Sequence, residues 1–152
     1  MSGGAETVAP IEPGDIVLIN QLVARYGHIV DAARWHMFPE LFVPYAELDY
    51  TGAGAPEVYH GIDAITGFFR GANHPSAHHC VNVYVDDSDG LIRVTSKFFS
   101  PYTRASHVPP RWKGGNYFDV VVSTAAGWRF RSRTCVATWQ LGGEPDSERV
   151  TW

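Results

Sequence analysis

The sequence predicts an α+β domain, on two observations. Apolar residues recur at helical spacing in the first half of the chain, whereas from residue 78 onward the period falls to two. Helices therefore precede long strands, without the regular strand–helix alternation that a parallel α/β sheet needs.

The first helix is expected over residues 15–33. Asp15 follows Pro13-Gly14, and Ile19, Val23, Tyr26 and Val30 then recur at intervals of four, three and four along one face. A short helix is expected over residues 39–42, where Pro39 suits a first turn, and a third over 62–70 behind Gly61. Residues 45–51 alternate Tyr45, Glu47 and Asp49 against Ala46, Leu48 and Tyr50, which reads as a strand. Residues 78–85 set His79, Val81, Val83 and Val85 on one face and His78, Cys80, Asn82 and Tyr84 on the other. The acidic turn at 86–90 leads into a strand at 91–100. Strands at 115–123 and 128–140 flank Ala125-Ala126-Gly127, so the last three strands form an antiparallel meander. The loop 101–113, with Pro109-Pro110, interrupts that meander as a lid or a contact surface.

At 152 residues the chain is long enough for one domain with its own core, placed at 15–141 between a flexible lead-in, 1–14, and a polar tail, 142–152. In that tail Val150 and Trp152 are apolar enough to dock on a neighbour. Hydrophobic residues at 45% and charged residues at 18% fit a folded globular chain, and no apolar run is long enough to span a membrane. A formal charge of −4 without a basic cluster argues against nucleic acid as a partner. The first residues carry neither the positive charge nor the apolar run of a signal peptide, so a cytoplasmic location is expected. There Cys80 and Cys135 act as small buried hydrophobes rather than a disulfide. Aromatic residues make up 13% of the chain, a content that fits a ring-lined cavity or a densely filled core equally well.

The dinucleotide, P-loop, zincin and nucleophile-elbow motifs are all missing, which leaves scattered His, Asp and Tyr residues to carry any chemistry. His74, His78 and His79 are close in sequence, but strand neighbours point to opposite faces, so no metal is expected. Asp31 stands at the C-terminal end of the first helix, where the macrodipole disfavours a carboxylate. It is read either as a solvent-facing residue or as a carboxylate that orients an imidazole. Tyr26 lies on the apolar stripe, about 140° around the helix from Asp31 at roughly 100° per residue.

The combination of Arg25-Tyr26, Asp31, Trp35, Leu41-Phe42, Asp49-Tyr50, Gly61, Ile65, His78-His79, Asn82, Tyr117, Asp119, Gly127-Trp128-Arg129-Phe130 and Arg133 resembles the SnoaL-like branch of the nuclear transport factor two superfamily. The resemblance runs from about residue 15 to residue 138. It implies a cone-shaped α+β barrel, with a curved mixed or antiparallel sheet closed by the N-terminal helices. The offsets from Tyr26 to Asp31 and from Asp31 to His79 are similar to the Tyr, Asp and His set of bile-acid dehydratase. Asp31 and His79 also resemble the Asp-His pair of scytalone dehydratase and of hexachlorocyclohexane dehydrochlorinase. Where scytalone dehydratase carries a second catalytic His, this chain has Thr95 or Ser96, and its Ser and Asn pair is replaced around Gly115 and Tyr117.

That resemblance implies a cofactor-free dehydratase acting on a hydrophobic, polyketide-like or steroid-like ring. His79 is the expected base, Asp31 its orienting partner and Tyr26 the proton donor to the leaving hydroxyl. Tyr50 and Asn82 are expected to orient a substrate oxygen, and Trp35, Phe98 and Tyr117 to supply apolar wall. The same base serves a cyclase or an isomerase. The superfamily also includes non-catalytic binding proteins and small subunits of ring-hydroxylating dioxygenases. A homo-dimer or homo-trimer is expected, with the outward strand face as the interface.

Overall fold

A computed structural model describes residues 10–107 and 109–143. The lead-in expected at 1–14 lies outside them up to residue 9, and the tail expected at 142–152 from residue 144 on.

Helix α1 spans Pro13–Asp31. It starts before Asp15 because Pro13 occupies the first turn and the Asp15 carboxylate accepts the Glu12 backbone N–H at 3.0 Å. It stops short of residue 33, where Ala33 takes φ +50°. The short helix expected at 39–42 is instead a 3-10 segment at Trp35–Glu40, and Phe42 already belongs to strand β1, Phe42–Asp49. A three-residue strand β2, Val58–His60, too short to show a period, precedes helix α2, Ile62–Gly71. Strands β3 (His79–Asp86), β4 (Ile92–Tyr102), β5 (Arg111–Thr124) and β6 (Gly127–Gly142) follow within the described residues. The last two hairpins run further than the sequence suggests and absorb both ends of the 101–113 loop.

The six strands form one open sheet in the order β2-β1-β6-β5-β4-β3, antiparallel throughout except where β1 runs parallel to β6. The interior is closed by α1, whose buried face of Ile19, Leu22, Val23, Tyr26, Ile29 and Val30 joins Leu48, Val94, Tyr117 and Phe130 in one apolar cluster. This is the expected α+β arrangement, with the mixed sheet curved around a core capped by helix.

One irregularity decides which side chains enter that core. The β3–β4 register slips between Val81 and Tyr84, and Asn82 sits in the bulge with φ +52°, a left-handed conformation that Asn tolerates. The extra residue shifts the phase of the strand. Cys80, Val83 and Val85 pack against the core, while His79, Val81, Asn82 and Tyr84 are exposed. Strict alternation would group His79 with Val83 and Val85; the bulge puts His79 on the opposite face.

Candidate active site

The final residue of α1 reaches across to the segment that leads into β3. Asp31 Oδ1 accepts a hydrogen bond from His78 Nδ1 at 2.6 Å, and Oδ2 accepts the His78 backbone N–H at 3.2 Å. The imidazole that Asp31 meets is therefore that of His78. His79 points to the outer face of the sheet, where its ring stacks on Phe99 at 4.8 Å and its Nδ1 bonds the Phe99 carbonyl at 3.3 Å. The expected Asp31–His79 contact is thus corrected to Asp31–His78, and the cause is the bulge at Asn82.

Gly27 makes this approach possible. A Cβ at that position would lie 3.1 Å from the His78 carbonyl oxygen and 3.5 Å from its Cβ, so the missing side chain lets the His78 segment lie against the helix. Gly27 and Asp31 are one turn apart on the same face, and that stripe receives the histidine. Tyr26, the neighbour of Gly27, meets the same imidazole edge-on with ring centroids 5.8 Å apart. Tyr26 and Asp31 converge on one group although they lie on different stripes, because His78 spans the gap between them.

The His78 side chain is 8% exposed and Asp31 is 30% exposed. Burial alone pushes the Asp31 carboxyl up. The hydrogen bonds from the His78 ring and backbone, together with the nearby His78 and His79 rings, outweigh it and hold the group below the usual carboxylate range. A carboxylate partner requires His78 Nδ1 to carry the hydrogen, which leaves Nε2 as the nitrogen with the lone pair.

His78 lines a cavity of about 120 Å³ together with His74, Tyr50, Phe68, Phe98 and Tyr117. Tyr50, Phe98 and Tyr117 thus occupy the wall as expected. Trp35 does not line the cavity; it packs behind the wall against Phe38, Phe69 and His74. Asn82 is exposed in its bulge and does not line the cavity either, since a left-handed residue there cannot continue the inward alternation.

Tyr26 is fully buried, and its hydroxyl lies 2.5 Å from that of Tyr50. Two hydroxyls bonded to each other use one hydrogen between them and keep one to donate. Tyr50 lines the cavity and Tyr26 does not, so a hydrogen offered to a ligand is the one on Tyr50, and in that arrangement Tyr26 is the donor within the pair. Burial raises both phenols above the usual tyrosine range, and the Arg133 guanidinium only partly counters it. Both are neutral donors at physiological pH.

Under this pair lies a buried ion pair. Arg133 Cζ sits 4.0 Å from the Tyr26 ring centroid and 3.8 Å from that of Tyr117, and its Nη1 is 3.7 Å from Asp119 Oδ2 across the β5–β6 ladder. Both side chains are fully buried, and neither Asp119 oxygen accepts a hydrogen bond from a described residue. Burial therefore prevails over the attraction of Arg133 and pushes the Asp119 carboxyl up to about 7. Among the described residues no three His, Cys, Asp or Glu side chains are grouped to hold a metal ion. No helix of the described residues is long and apolar enough to cross a membrane.

Several solved structures share this architecture. A candidate scytalone dehydratase from Novosphingobium aromaticivorans is 21% identical, with 90% of this chain and 92% of that one covered and a TM-score of 0.74. ActVI-ORFA from Streptomyces coelicolor is 19% identical, with 82% and 97% covered and a TM-score of 0.68. An NTF2-like protein with a cystatin-like fold, also from Novosphingobium aromaticivorans, is 22% identical over 80% of each chain, with a TM-score of 0.63. At these identities the likeness is one of fold. No curated protein matches the sequence. The model of the SnoaL-like domain matches residues 14–134, which take in α1 from Gly14 on, the cavity-lining residues other than Cys135 and Ala137, and the Asp31–His78 pair, and the chain accordingly belongs to the SnoaL-like domain family.

Proposed function

We propose that this chain is a cofactor-independent lyase of the dehydratase type, acting on a small hydrophobic ring compound that bears a hydroxyl β to a carbonyl. The observation that carries the reading is the 2.6 Å bond from His78 to Asp31 on a histidine that also lines the cavity. It leaves a lone pair at Nε2 and a carboxylate placed to stabilise the imidazolium.

In the proposed reaction Tyr50, backed by Tyr26, donates a hydrogen bond to the substrate carbonyl. Negative charge that develops there as the α C–H is broken meets a donor already in position. His78 Nε2 takes the α proton. The C–H electron pair forms the new C=C bond as the C–O bond breaks, and the imidazolium returns the same proton to the departing hydroxide as water. One C–H and one C–O bond are lost, one C=C bond and one water are formed, and His78 ends in its starting state. Apolar walls from Phe98 and Tyr117 exclude water and strengthen these interactions.

The test is a panel of cyclic β-hydroxy ketones, with the conjugated enone product followed by its absorbance. Turnover by the wild type is expected to fall by roughly 10²- to 10⁴-fold in His78→Ala, the range for loss of a general base, and to stay within about threefold in His79→Ala. Equal rates in wild type and His78→Ala would overturn the reading.

A further inference from the structure

A second imidazole shares the cavity wall with His78. His74 follows α2, and its ring stacks on Phe69 with centroids 5.5 Å apart and planes 7° from parallel. Trp35 packs against it at 5.4 Å, so two aromatic neighbours fix the plane of the ring. Its Nε2 hydrogen-bonds the Phe69 backbone carbonyl. A carbonyl only accepts, so Nε2 carries the hydrogen and Nδ1 keeps its lone pair. Nδ1 makes no hydrogen bond to a described residue. The ring centroid lies 6.4 Å from that of His78. Burial, reinforced by the neighbouring His78 and Arg104, holds the imidazole below the usual histidine range despite the Phe69 carbonyl and Asp31, which keeps it neutral.

We propose that His74 is a specificity determinant of this cavity: its Nδ1 accepts a hydrogen bond from a ring hydroxyl of the ligand, so the site selects phenolic or enolic rings over their apolar isosteres. This rests on the reading of the cavity as a substrate site and adds to it the class of ring recognised. His78 and His74 both line the cavity and each keeps one ring nitrogen with a lone pair, so the fitting ligand offers a C–H to the first and an O–H to the second. Tyr50 supplies the donor. The size of the site limits the ligand to a single ring, since this partly open cavity of about 120 Å³ is smaller than the apolar cavity of about 150 Å³ that holds one benzene.

The experiment compares phenol with toluene, rings of the same shape that differ in the donor. Both are titrated into the full chain labelled with ¹⁵N-histidine, in wild type and in His74→Phe, which keeps a ring between Phe69 and Trp35 but has no lone pair. The wild type is expected to bind phenol roughly three- to tenfold more tightly than toluene, the range for one neutral hydrogen bond. The His74 Nδ1 resonance is expected to move with phenol and to stay still with toluene. In His74→Phe the preference is expected to vanish while toluene affinity changes less than about twofold. A preference that survives in His74→Phe, a wild type without one, or a His74 Nδ1 resonance unmoved by saturating phenol each overturns the assignment. The resonance is read in the wild type, so the test stands even if the variant does not fold. Failure of the lyase reading shows instead as turnover indifferent to His78 while the preference at His74 persists.

Discussion

The His78 carbonyl oxygen would lie 3.1 Å from a Cβ at Gly27, one helical turn before the carboxylate that binds the His78 ring. A methyl group there must displace the histidine segment, whereas the helix itself gains from the replacement by about 0.5–1 kcal/mol. Gly27→Ala is therefore expected to change the melting temperature by only a few degrees. The ¹⁵N signature of a fixed Nδ1–H tautomer at His78 is expected to be lost, with activity falling roughly tenfold or more. NMR and thermal unfolding on the same sample separate the two effects.

The Asp31 carboxyl is held below the usual carboxylate range by its hydrogen bonds from His78. A depressed value in the folded protein means that this stabilisation is fully present above the ordinary value near 3.8 and is lost as the pH falls through the folded one. Asp31→Asn is expected to lower stability in the neutral region, where this contribution is fully present, and to flatten the acid limb below about pH 4. Urea unfolding across the acid range checks this, and a carboxyl carbon titration of Asp31 locates its midpoint directly.

In the proposed reaction Tyr50, which lines the cavity, meets the substrate carbonyl and Tyr26 acts through it. Tyr50→Phe is expected to lower kcat by roughly 10²-fold, within the range for the loss of one donor to a developing oxyanion. Tyr26→Phe is expected to cost less, and the double variant little more than Tyr50→Phe alone. Additive losses in the steady-state constants would contradict this order.

With Asp119 raised to about 7, the sign at the Arg133 pair is opposite to that at Asp31. The folded state holds a proton that the unfolded chain has released, so this contribution is fully present below the unfolded value near 3.8 and declines as the pH rises through about 7. The slope is at most about 1.4 kcal/mol per pH unit. Asp119→Asn is expected to remove the decline between about pH 4 and 7 in urea unfolding. Arg133→Met also strips the cation from between the Tyr26 and Tyr117 rings, and is expected to disturb their near-ultraviolet circular dichroism.

Much of the fold is legible in the chain because it follows from periodicity. The spacing of Ile19, Val23, Tyr26 and Val30 marks the buried face of α1, and Ala46, Leu48 and Tyr50 are the inward face of β1 and its end, as their alternation indicates. What periodicity misses is a change of phase. Val83 and Val85 do face the core, and a constant period of two carries His79 in with them; the single left-handed residue at Asn82 undoes that and selects His78. A polar residue that tolerates positive φ, set among valines, was the local signal. Gly27, one turn before Asp31, was the other, because a glycine inside a helix marks a place where another segment comes close. Tyr26 behind Tyr50, His74 on the wall and Asp119 beside Arg133 depend on contacts between distant segments, which local spacing does not encode.

The parallel pairing of β1 with β6 brings Leu48 beside Arg133, 85 residues later in the chain. During synthesis β1 must wait, unpaired on that side, for the last strand to emerge, and Tyr50 at its end meets no completed wall until then. Closing so long a loop is entropically expensive and slows folding. The β3–β6 meander, built from sequential hairpins, is the part able to form early. Assembly of the cavity is therefore a late event: the platform stands first, and the first strand docks when the final one offers its free edge.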